Sequence, residues 1–175
     1  MNIVFLDVDG VLVHSKYKNK NTSNIDIQKV KMLKRICKKG NAKVVISSSW
    51  RGTKTYTPRD YYVLQRILGK YKIEVIDDLP YIDVEFENIN GVSSLVCDTT
   101  LEELPECKFN FNTGRGAEVK KWLLEHNVDN FVILDDENWD WKQYGYTYNW
   151  VQPSWFNGGL QKEHVTKAIK ILRRG

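Results

Sequence analysis

The chain has 175 residues, a length that suits one domain with one sizeable core, and its apolar fraction of 42% is ordinary for a folded protein. The formal net charge of +4 favours an anionic substrate but does not by itself indicate nucleic-acid binding. No apolar run is long enough to span a membrane, and an acidic residue at position 7 comes too early for a signal peptide. Three cysteines, an odd number without close metal spacing, favour a reduced cytoplasmic setting.

Short apolar runs alternate along the chain with stretches of helical apolar periodicity. The first half predicts, in chain order, a strand over residues 3–6, a polar loop over 13–24, a helix over 27–37, a strand over 43–46, a helix that begins at Pro58 and a strand over 72–76. The second half predicts an irregular insertion with one or two short strands over 77–113, a helix that begins at Arg115, strands over 131–134 and 146–151, and a last helix over 165–172. Asn24 can cap the first helix and Gly40 can end it.

This alternation predicts an α/β fold, a three-layer sandwich whose mostly parallel central sheet is covered by helices on both faces. No internal repeat, low-complexity tract or linker divides the chain, so residues 1–175 are predicted to form a single domain. The insertion at 77–113 is too small for a large cap domain. We therefore expect a minimal cap over an open site.

Polar side chains follow three of the predicted strands at the points where these strands end. They lie at residues 7–10 (Asp-Val-Asp-Gly), 47–49 (Ser-Ser-Ser) and 135–137 (Asp-Asp-Glu). Ligands of an open parallel sheet bind outside the carboxyl ends of its strands, so these residues should converge at one edge. Clustered carboxylates repel each other unless a cation joins them, and Mg²⁺ suits them because it prefers oxygen ligands. Gly10 permits a sharp turn there and a close approach of the backbone to a substrate.

These segments resemble the motifs of the haloacid dehalogenase (HAD) superfamily. Residues 5–12 (FLDVDGVL), 44–47 (VVIS) and 132–136 (VILDD) are similar to its first, second and fourth motifs, and they occur in the expected order. Residues 46–51 (ISSSWR) and 114–118 (GRGAE) look closer still to one branch, the HAD-type domain found in some RNA-repair proteins and in many small stand-alone proteins. The resemblance implies a HAD-like fold and a phosphatase activity that depends on Mg²⁺.

The resemblance also implies roles for the polar residues and the glycine of the first two motifs. Asp7 would be the nucleophile that attacks phosphorus and forms an aspartyl-phosphate, and it would also be a metal ligand. Asp9 would be the general acid and then the general base, and its backbone carbonyl would bind the metal. Ser47 would donate a hydrogen bond to a phosphate oxygen, with Ser48 and Gly10 as further phosphate-binding positions. A strand-end turn or a helix cap is the alternative interpretation of these polar residues.

The remaining positions would supply the metal ligands and the positive charge. Asp136 would bind Mg²⁺ directly, with Asp135 as a second ligand or as a support behind it. The third motif of the superfamily holds a basic residue that binds phosphate, and Arg115 fits it at a helix start, where backbone amides also favour anions. Lys120, inside the same helix, is the alternative.

The substrate is less well specified than the reaction. The resemblance to an RNA-repair branch implies a nucleotide or an RNA or DNA end, and a phosphoprotein phosphatase or a catalytically silent binding domain are the alternatives. An aromatic-rich stretch over 139–156 either packs the last strand, which we favour, or stacks on a base. No membrane partner is expected, and the sequence does not determine an oligomeric state.

Overall fold

A five-stranded parallel sheet is the centre of the structure, a computed structural model that describes residues 1–51, 58–80, 85–89, 92–96 and 114–174. The strands of the described residues are β1 (Asn2–Leu6), β2 (Ala42–Ile46), β3 (Val75–Asp78), β4 (Glu85–Ile89), β5 (Val92–Val96), β6 (Asn130–Leu134) and β7 (Trp150–Val151). The large sheet has the order β3-β2-β1-β6-β7 and every neighbouring pair in it is parallel, whereas β4 and β5 form a separate antiparallel pair.

Helices cover both faces of this sheet because successive side chains of each strand point to opposite sides. The helices are α1 (Ile27–Gly40), α2 (Pro58–Lys70), α3 (Arg115–Glu125) and α4 (Lys162–Leu172). Val4 and Leu6 of β1 face a core that contains apolar residues of α1, α2 and α4. Ile3 and Phe5 face the opposite core, which contains Trp122 of α3. The predicted α/β fold with three layers is confirmed.

None of the described helices is long and apolar enough to cross a membrane.

The ends of α1 show where local prediction succeeded and where it was wrong. The N-cap is Asp26, whose side chain accepts a hydrogen bond from the backbone N–H of Gln28 at 2.8 Å. The prediction of Asn24 as the cap was wrong, because Asn24 has a φ of 63° and belongs to the turn before the helix. The helix does end at Gly40, and Asn41 follows it in the left-handed conformation.

Two predicted strands have different bounds in the structure. β3 covers Val75–Asp78 rather than 72–76, because the turn after α2 continues to Lys72, which has a φ of 55°. β7 has two residues, and Tyr146–Tyr148 form a short 3₁₀ helix where a longer strand was predicted. Tyr146 is buried and packs edge-on against Phe131 with ring centroids 5.3 Å apart, and this packing favours the compact turn.

The predicted insertion at 77–113 is described only in part. β4 and β5 lie within it, as expected for one or two short strands, while residues 81–84, 90–91 and 97–113 lie outside the described residues. The predictions of a minimal cap and of a single domain stay predictions.

The register of the sheet determines where the polar strand ends meet. Leu6, the last residue of β1, pairs with Ile46 of β2 on one side and with Leu134 of β6 on the other. The residues that follow these three strands therefore lie level at one edge of the sheet. The chain passes from β1 to β2 and β3 on one side and later to β6 and β7 on the other, so this edge is a topological switch point, where open α/β sheets bind ligands.

Candidate active site

Three carboxylates meet beyond the carboxyl ends of β1 and β6. One oxygen atom from each of Asp7, Asp135 and Asp136 lies within 4.8 Å of the others. Asp7 is 7% exposed and Asp135 is 1% exposed, whereas Asp136 is half-buried. The backbone N–H of Asp7 donates to the carbonyl oxygen of Leu134 at 2.9 Å, which extends the pairing of the two strands into the cluster.

Burial and mutual repulsion disfavour the charged form of these groups. Burial raises the pKa of Asp7 well above its ordinary value, and the nearby charge of Asp135 raises it further. Burial raises the pKa of Asp135 to about 7, and burial together with the charge of Glu137 raises the pKa of Asp136 to about 6. A set of oxygen donors that share excess negative charge fits a hard divalent cation such as Mg²⁺, which would favour their ionised form.

Arg115 supplies a positive charge beside this cluster from the first residue of α3. Its Nη1 atom lies 3.4 Å from Oδ1 of Asp7 and 3.5 Å from Oδ2 of Asp135. Its guanidinium lies over the ring of Trp139, 5.0 Å from the centroid. Lys120, the alternative for the third motif, is not among the described residues that line the pocket over the cluster. The geometry therefore favours Arg115 over Lys120 for the third-motif position, and its binding of phosphate stays a prediction.

A buried ion pair behind Arg115 was missed at the sequence level. Nη2 of Arg51 lies 2.5 Å from Oε2 of Glu118, and the two side chains are 2% and 10% exposed. Nη1 of Arg51 also donates to the carbonyl oxygen of Ser48 at 3.0 Å, and Nε of Arg115 lies 4.0 Å from Oε2 of Glu118. The pair joins the end of β2 to α3 and holds a carboxylate next to Arg115. Its only signal in the sequence was the presence of both residues in the segments that resemble the RNA-repair branch.

Asp9 lines the pocket that lies over the carboxylate cluster, but it is outside the group of three carboxylates. Its Oδ2 atom accepts a hydrogen bond from Nε1 of Trp50 at 2.9 Å. Trp50, which is 4% exposed, was also missed, because nothing in the local pattern links it to a residue 41 positions earlier. The predicted use of the Asp9 backbone carbonyl as a metal ligand stays a prediction.

The serines after β2 have three different environments. Ser47 is 1% exposed, and its hydroxyl has no hydrogen-bond partner in the part of the chain that the structure describes. Ser48 is buried and makes a side-chain hydrogen bond that lowers the pKa of Asp7. Ser49 lines the pocket. A buried hydroxyl without a partner suits an anionic ligand. The phosphate-binding roles of Ser47 and Ser48 both stay predictions, and Ser48 also supports Asp7 through its hydrogen bond.

The missing side chain of Gly10 leaves space for the carboxylate of Asp136, a candidate metal ligand. Its φ is +69°, and a Cβ atom placed on it would lie 1.9 Å from Cγ of Asp136. The predicted approach of the Gly10 backbone to a substrate stays a prediction, and what the structure adds is the contact with the Asp136 carboxylate. Any larger residue would displace this carboxylate.

A pocket of about 670 Å³ opens over the cluster. Its lining combines acidic residues and Arg115 with three aromatic side chains, namely Trp139, Trp155 and Phe156. In the same aromatic-rich stretch, Trp141 and Tyr146 are buried in the core. The packing interpretation therefore holds for some members of the stretch, and base stacking by the members that line the pocket stays a prediction.

Comparison with known families finds one family model that matches most of the chain. A family described as a HAD domain in Swiss Army Knife RNA repair proteins matches residues 3–165. This range includes the three clustered carboxylates, Arg115 and the serines after β2. No curated protein and no solved structure matches the chain.

The close approach of Gly10 to Asp136 predicts a loss of metal binding in Gly10→Ala. Gly145→Ala is the matched control, because Gly145 has a φ of +73° and open space where a Cβ atom would lie. Both changes carry the cost of a left-handed alanine, about 1–2 kcal/mol, but only the first pushes on the Asp136 carboxylate. Urea unfolding should show a larger decrease in stability for Gly10→Ala, and MgCl₂ should stabilise Gly145→Ala but not Gly10→Ala. Equal behaviour of the two variants would contradict this account of Gly10.

The raised carboxyl pKa values predict that stabilisation by Mg²⁺ grows with pH. The folded protein keeps protons on Asp135 and Asp136 that the unfolded chain, with the ordinary value of 3.8, has released. Without metal, the two carboxyl groups therefore lower the free energy of unfolding as the pH rises above 3.8. The decrease continues through their folded-state pKa values of about 6 for Asp136 and about 7 for Asp135. A cation that binds the ionised carboxylates offsets this decrease.

The measurement is the unfolding temperature with and without MgCl₂ at about pH 5 and about pH 8. We expect a clearly larger increase at the higher pH, and Asp136→Asn should remove most of this difference. Asp129→Asn, which changes an exposed carboxylate paired with the chain's amino group, should leave it intact. An increase of equal size at both pH values would argue against the carboxylates as the binding site.

Proposed function

We propose that this chain, which belongs to the family of HAD domains in Swiss Army Knife RNA repair proteins, is a magnesium-dependent phosphomonoesterase that works through an aspartyl-phosphate on Asp7. Family membership supports hydrolytic chemistry, since HAD proteins are mostly hydrolases and phosphatases. The observation that carries the proposal is the buried group of Asp7, Asp135 and Asp136 with Arg115 beside it. A structural turn has no need for three carboxylates whose charged forms are disfavoured by burial.

In the first step a carboxylate oxygen of Asp7 attacks phosphorus, and the bond from phosphorus to the ester oxygen breaks. The electron pair of that bond leaves with the ester oxygen, and Asp9 gives its proton to this oxygen to form the alcohol. Asp9 suits this role because its carboxylate lies in the pocket with Asp7 and is oriented by Trp50.

In the second step the Asp9 carboxylate takes a proton from water as the water oxygen attacks the phosphorus held on Asp7. The bond between phosphorus and the Asp7 oxygen breaks, which releases inorganic phosphate and restores the Asp7 carboxylate. Asp9 ends with the proton that it gave up in the first step. One hard displacement is thereby divided into two easier ones.

Asp7 and Asp136 are the residues that would hold Mg²⁺, because both line the pocket. Asp135 would support them, since its Oδ1 atom already accepts hydrogen bonds from the backbone N–H of Glu137 at 2.9 Å and from Nε1 of Trp139 at 3.2 Å. When bound, the metal supplies positive charge that offsets the charge of the phosphoryl oxygens. Arg115 and the Ser47 hydroxyl would hold those oxygens from the protein side.

For the substrate we propose a phosphate on a nucleotide or on an RNA or DNA end. The aromatic side chains of the pocket support this, because flat rings can stack on a base. A phosphoprotein phosphatase and a catalytically silent binding domain are the alternatives, and the presence of both Asp7 and Asp9 argues against the silent domain. We also propose a cytoplasmic setting, in keeping with the free thiol of Cys37.

Asp7→Asn should abolish phosphatase activity while the protein still folds. The amide is neutral and a poor nucleophile, so kcat should fall by at least about 1000-fold with every phosphomonoester. Urea unfolding should show stability equal to or above that of the wild-type protein, because the change removes a carboxyl group whose pKa burial raises. The control is Asp129→Asn, whose exposed side chain lies outside the site. Turnover retained in purified Asp7→Asn would remove Asp7 from the nucleophile's role.

Trp50→Phe should impair proton transfer to the leaving group more than it impairs attack on phosphorus. The change keeps most of the buried ring but removes the N–H that bonds Oδ2 of Asp9. Removing one hydrogen bond to a charged group should lower kcat on an alkyl phosphate by about 10- to 100-fold. With para-nitrophenyl phosphate, whose leaving group needs little protonation, the decrease should be several-fold smaller.

The difference between the two substrates separates positioning of Asp9 from a general defect in folding. A merely structural role for Trp50 would lower both rates by the same factor, and that result would contradict the assignment.

A further inference from the structure

We propose that the substrate of the site is the phosphorylated end of a single-stranded polynucleotide, and that Lys16 and Lys18 bind its backbone next to the pocket. The inference rests on the proposed function, which it makes more specific. It concerns a surface outside the carboxylate cluster, formed by the loop after the first motif and by residues 154–159. We call this surface the basic rim.

The aromatic part of the basic rim is built for contact with a flat partner. Trp155 and Phe156 both line the pocket, and Phe156 is 76% exposed although its ring is large and apolar. The turn that carries them is closed by a bridge between Ser154 and Gly159, with the Gly159 N–H 2.8 Å from the Ser154 carbonyl oxygen. Trp155 is half-buried and packs against the core, whereas the exposed ring of Phe156 is presented on this short, closed turn, where a base can stack on it.

The basic part of the rim is attached to the same turn. Ser15 donates two hydrogen bonds to the carbonyl oxygen of Trp155, from its backbone N–H at 3.2 Å and from its hydroxyl at 3.1 Å. The Leu160 N–H donates to the Val11 carbonyl oxygen at 3.0 Å. These bonds fix the lysine-bearing loop relative to the aromatic rings, so both form one unit.

Two lysines of this loop lie beside the rings. Nζ of Lys18 lies 5.9 Å from the centroid of the Trp155 ring, and the stem of Lys16 passes beside Gly158. Both lysines are exposed, and neither forms an ion pair within the described ranges of the chain. Their charges are therefore available to an anion that approaches along the rim.

The positions of the charged side chains indicate that these lysines bind phosphate groups other than the one that reacts in the pocket. The floor of the pocket is acidic, and Arg115 is the basic residue that reaches it. Lys16 and Lys18 are not among the described residues that line the pocket, and they lie beside the aromatic turn instead. A ligand that has a phosphate in the pocket, a base on the rings and more phosphates beyond them matches this order of acidic, aromatic and basic surfaces.

This order distinguishes a single strand from other phosphate esters. A mononucleotide has no further phosphates along its chain and leaves the two lysines without a partner. A duplex end keeps its bases stacked on each other and unavailable to the rings. A phosphopeptide has neither bases nor a regular series of anions. A polynucleotide single strand uses all three surfaces, and binding of this kind is strongly dependent on salt.

The test compares kcat/KM at several salt concentrations for a single-stranded oligonucleotide with a terminal phosphate, the matching mononucleotide, a blunt duplex, a phosphopeptide and para-nitrophenyl phosphate. The variant is Lys16→Ala/Lys18→Ala. The control is Lys38→Ala/Lys170→Ala, which removes the same charge from exposed positions in the last turns of α1 and α4. Asn2, at the amino end of β1, bonds the last carbonyl groups of both helices, so these turns lie at the sheet edge opposite the site.

We expect the wild-type protein to prefer the single strand, and we expect kcat/KM of the rim variant on it to fall on the order of 10-fold at low salt. The slope of log kcat/KM against log salt should become shallower by about 0.7 for each phosphate that the lysines no longer neutralise, hence by about 1.4 for two phosphates. Rates on the mononucleotide and on para-nitrophenyl phosphate should stay within about twofold of wild type in both variants. The control variant should keep the wild-type slope.

A binding measurement keeps the result independent of turnover. Fluorescence anisotropy with a labelled oligonucleotide, in the Asp7→Asn background, should show the same decrease in affinity and the same change in slope. An unchanged slope, an equal decrease on the mononucleotide, or a better rate with the duplex or the phosphopeptide would overturn the inference while leaving the phosphatase chemistry in place. Absence of turnover by the wild-type protein with every substrate would instead overturn the proposed function.

Discussion

Repulsion among buried carboxylates is the constraint on which the rest of this structure depends. Asp7 and Asp135 are almost completely buried with Asp136 beside them, and burial raises the pKa of all three. Such a group is stable when it holds protons or when positive charge is brought to it. Arg115 brings one charge to Asp7 and Asp135, and a bound divalent cation would bring more. Folding stability, the ionised state of Asp7 and the proposed binding of a metal would therefore be coupled through one set of oxygen atoms.

The surrounding fold holds this set in place from several directions. The parallel register of β1 with β2 and β6 brings the strand ends level, and Trp122 packs α3 against the sheet through an edge-on contact with Phe5, with ring centroids 5.5 Å apart. The pair of Arg51 and Glu118 joins β2 to the same helix just behind Arg115. The side chains that would touch a phosphate are thus positioned by packed or ion-paired neighbours, which is what catalysis by preorganised charge requires.

Local pattern was sufficient to predict most of the fold and the main members of the site. Apolar periodicity located the strands and helices, and the rule that parallel strands end at a common edge brought Asp7 together with Asp135 and Asp136. The residues missed in the site have a common cause, since they depend on contacts between distant parts of the chain. The partners of Trp50 and Arg51 lie 41 and 67 positions away. Packing in three dimensions likewise decided which aromatic residues of 139–156 are buried and which face the pocket.

The central claim is that Asp7 carries the phosphoryl group and that Asp7 and Asp136 would hold a divalent cation. A crystal structure of the protein grown with MgCl₂ and beryllium trifluoride, a mimic of a phosphoryl group on aspartate, tests this most directly. The account predicts beryllium bonded to a carboxylate oxygen of Asp7, fluorine atoms in contact with Arg115 and the Ser47 hydroxyl, and Mg²⁺ bound by Asp7 and Asp136. Beryllium on any other side chain, or Mg²⁺ bound away from both aspartates, would contradict it.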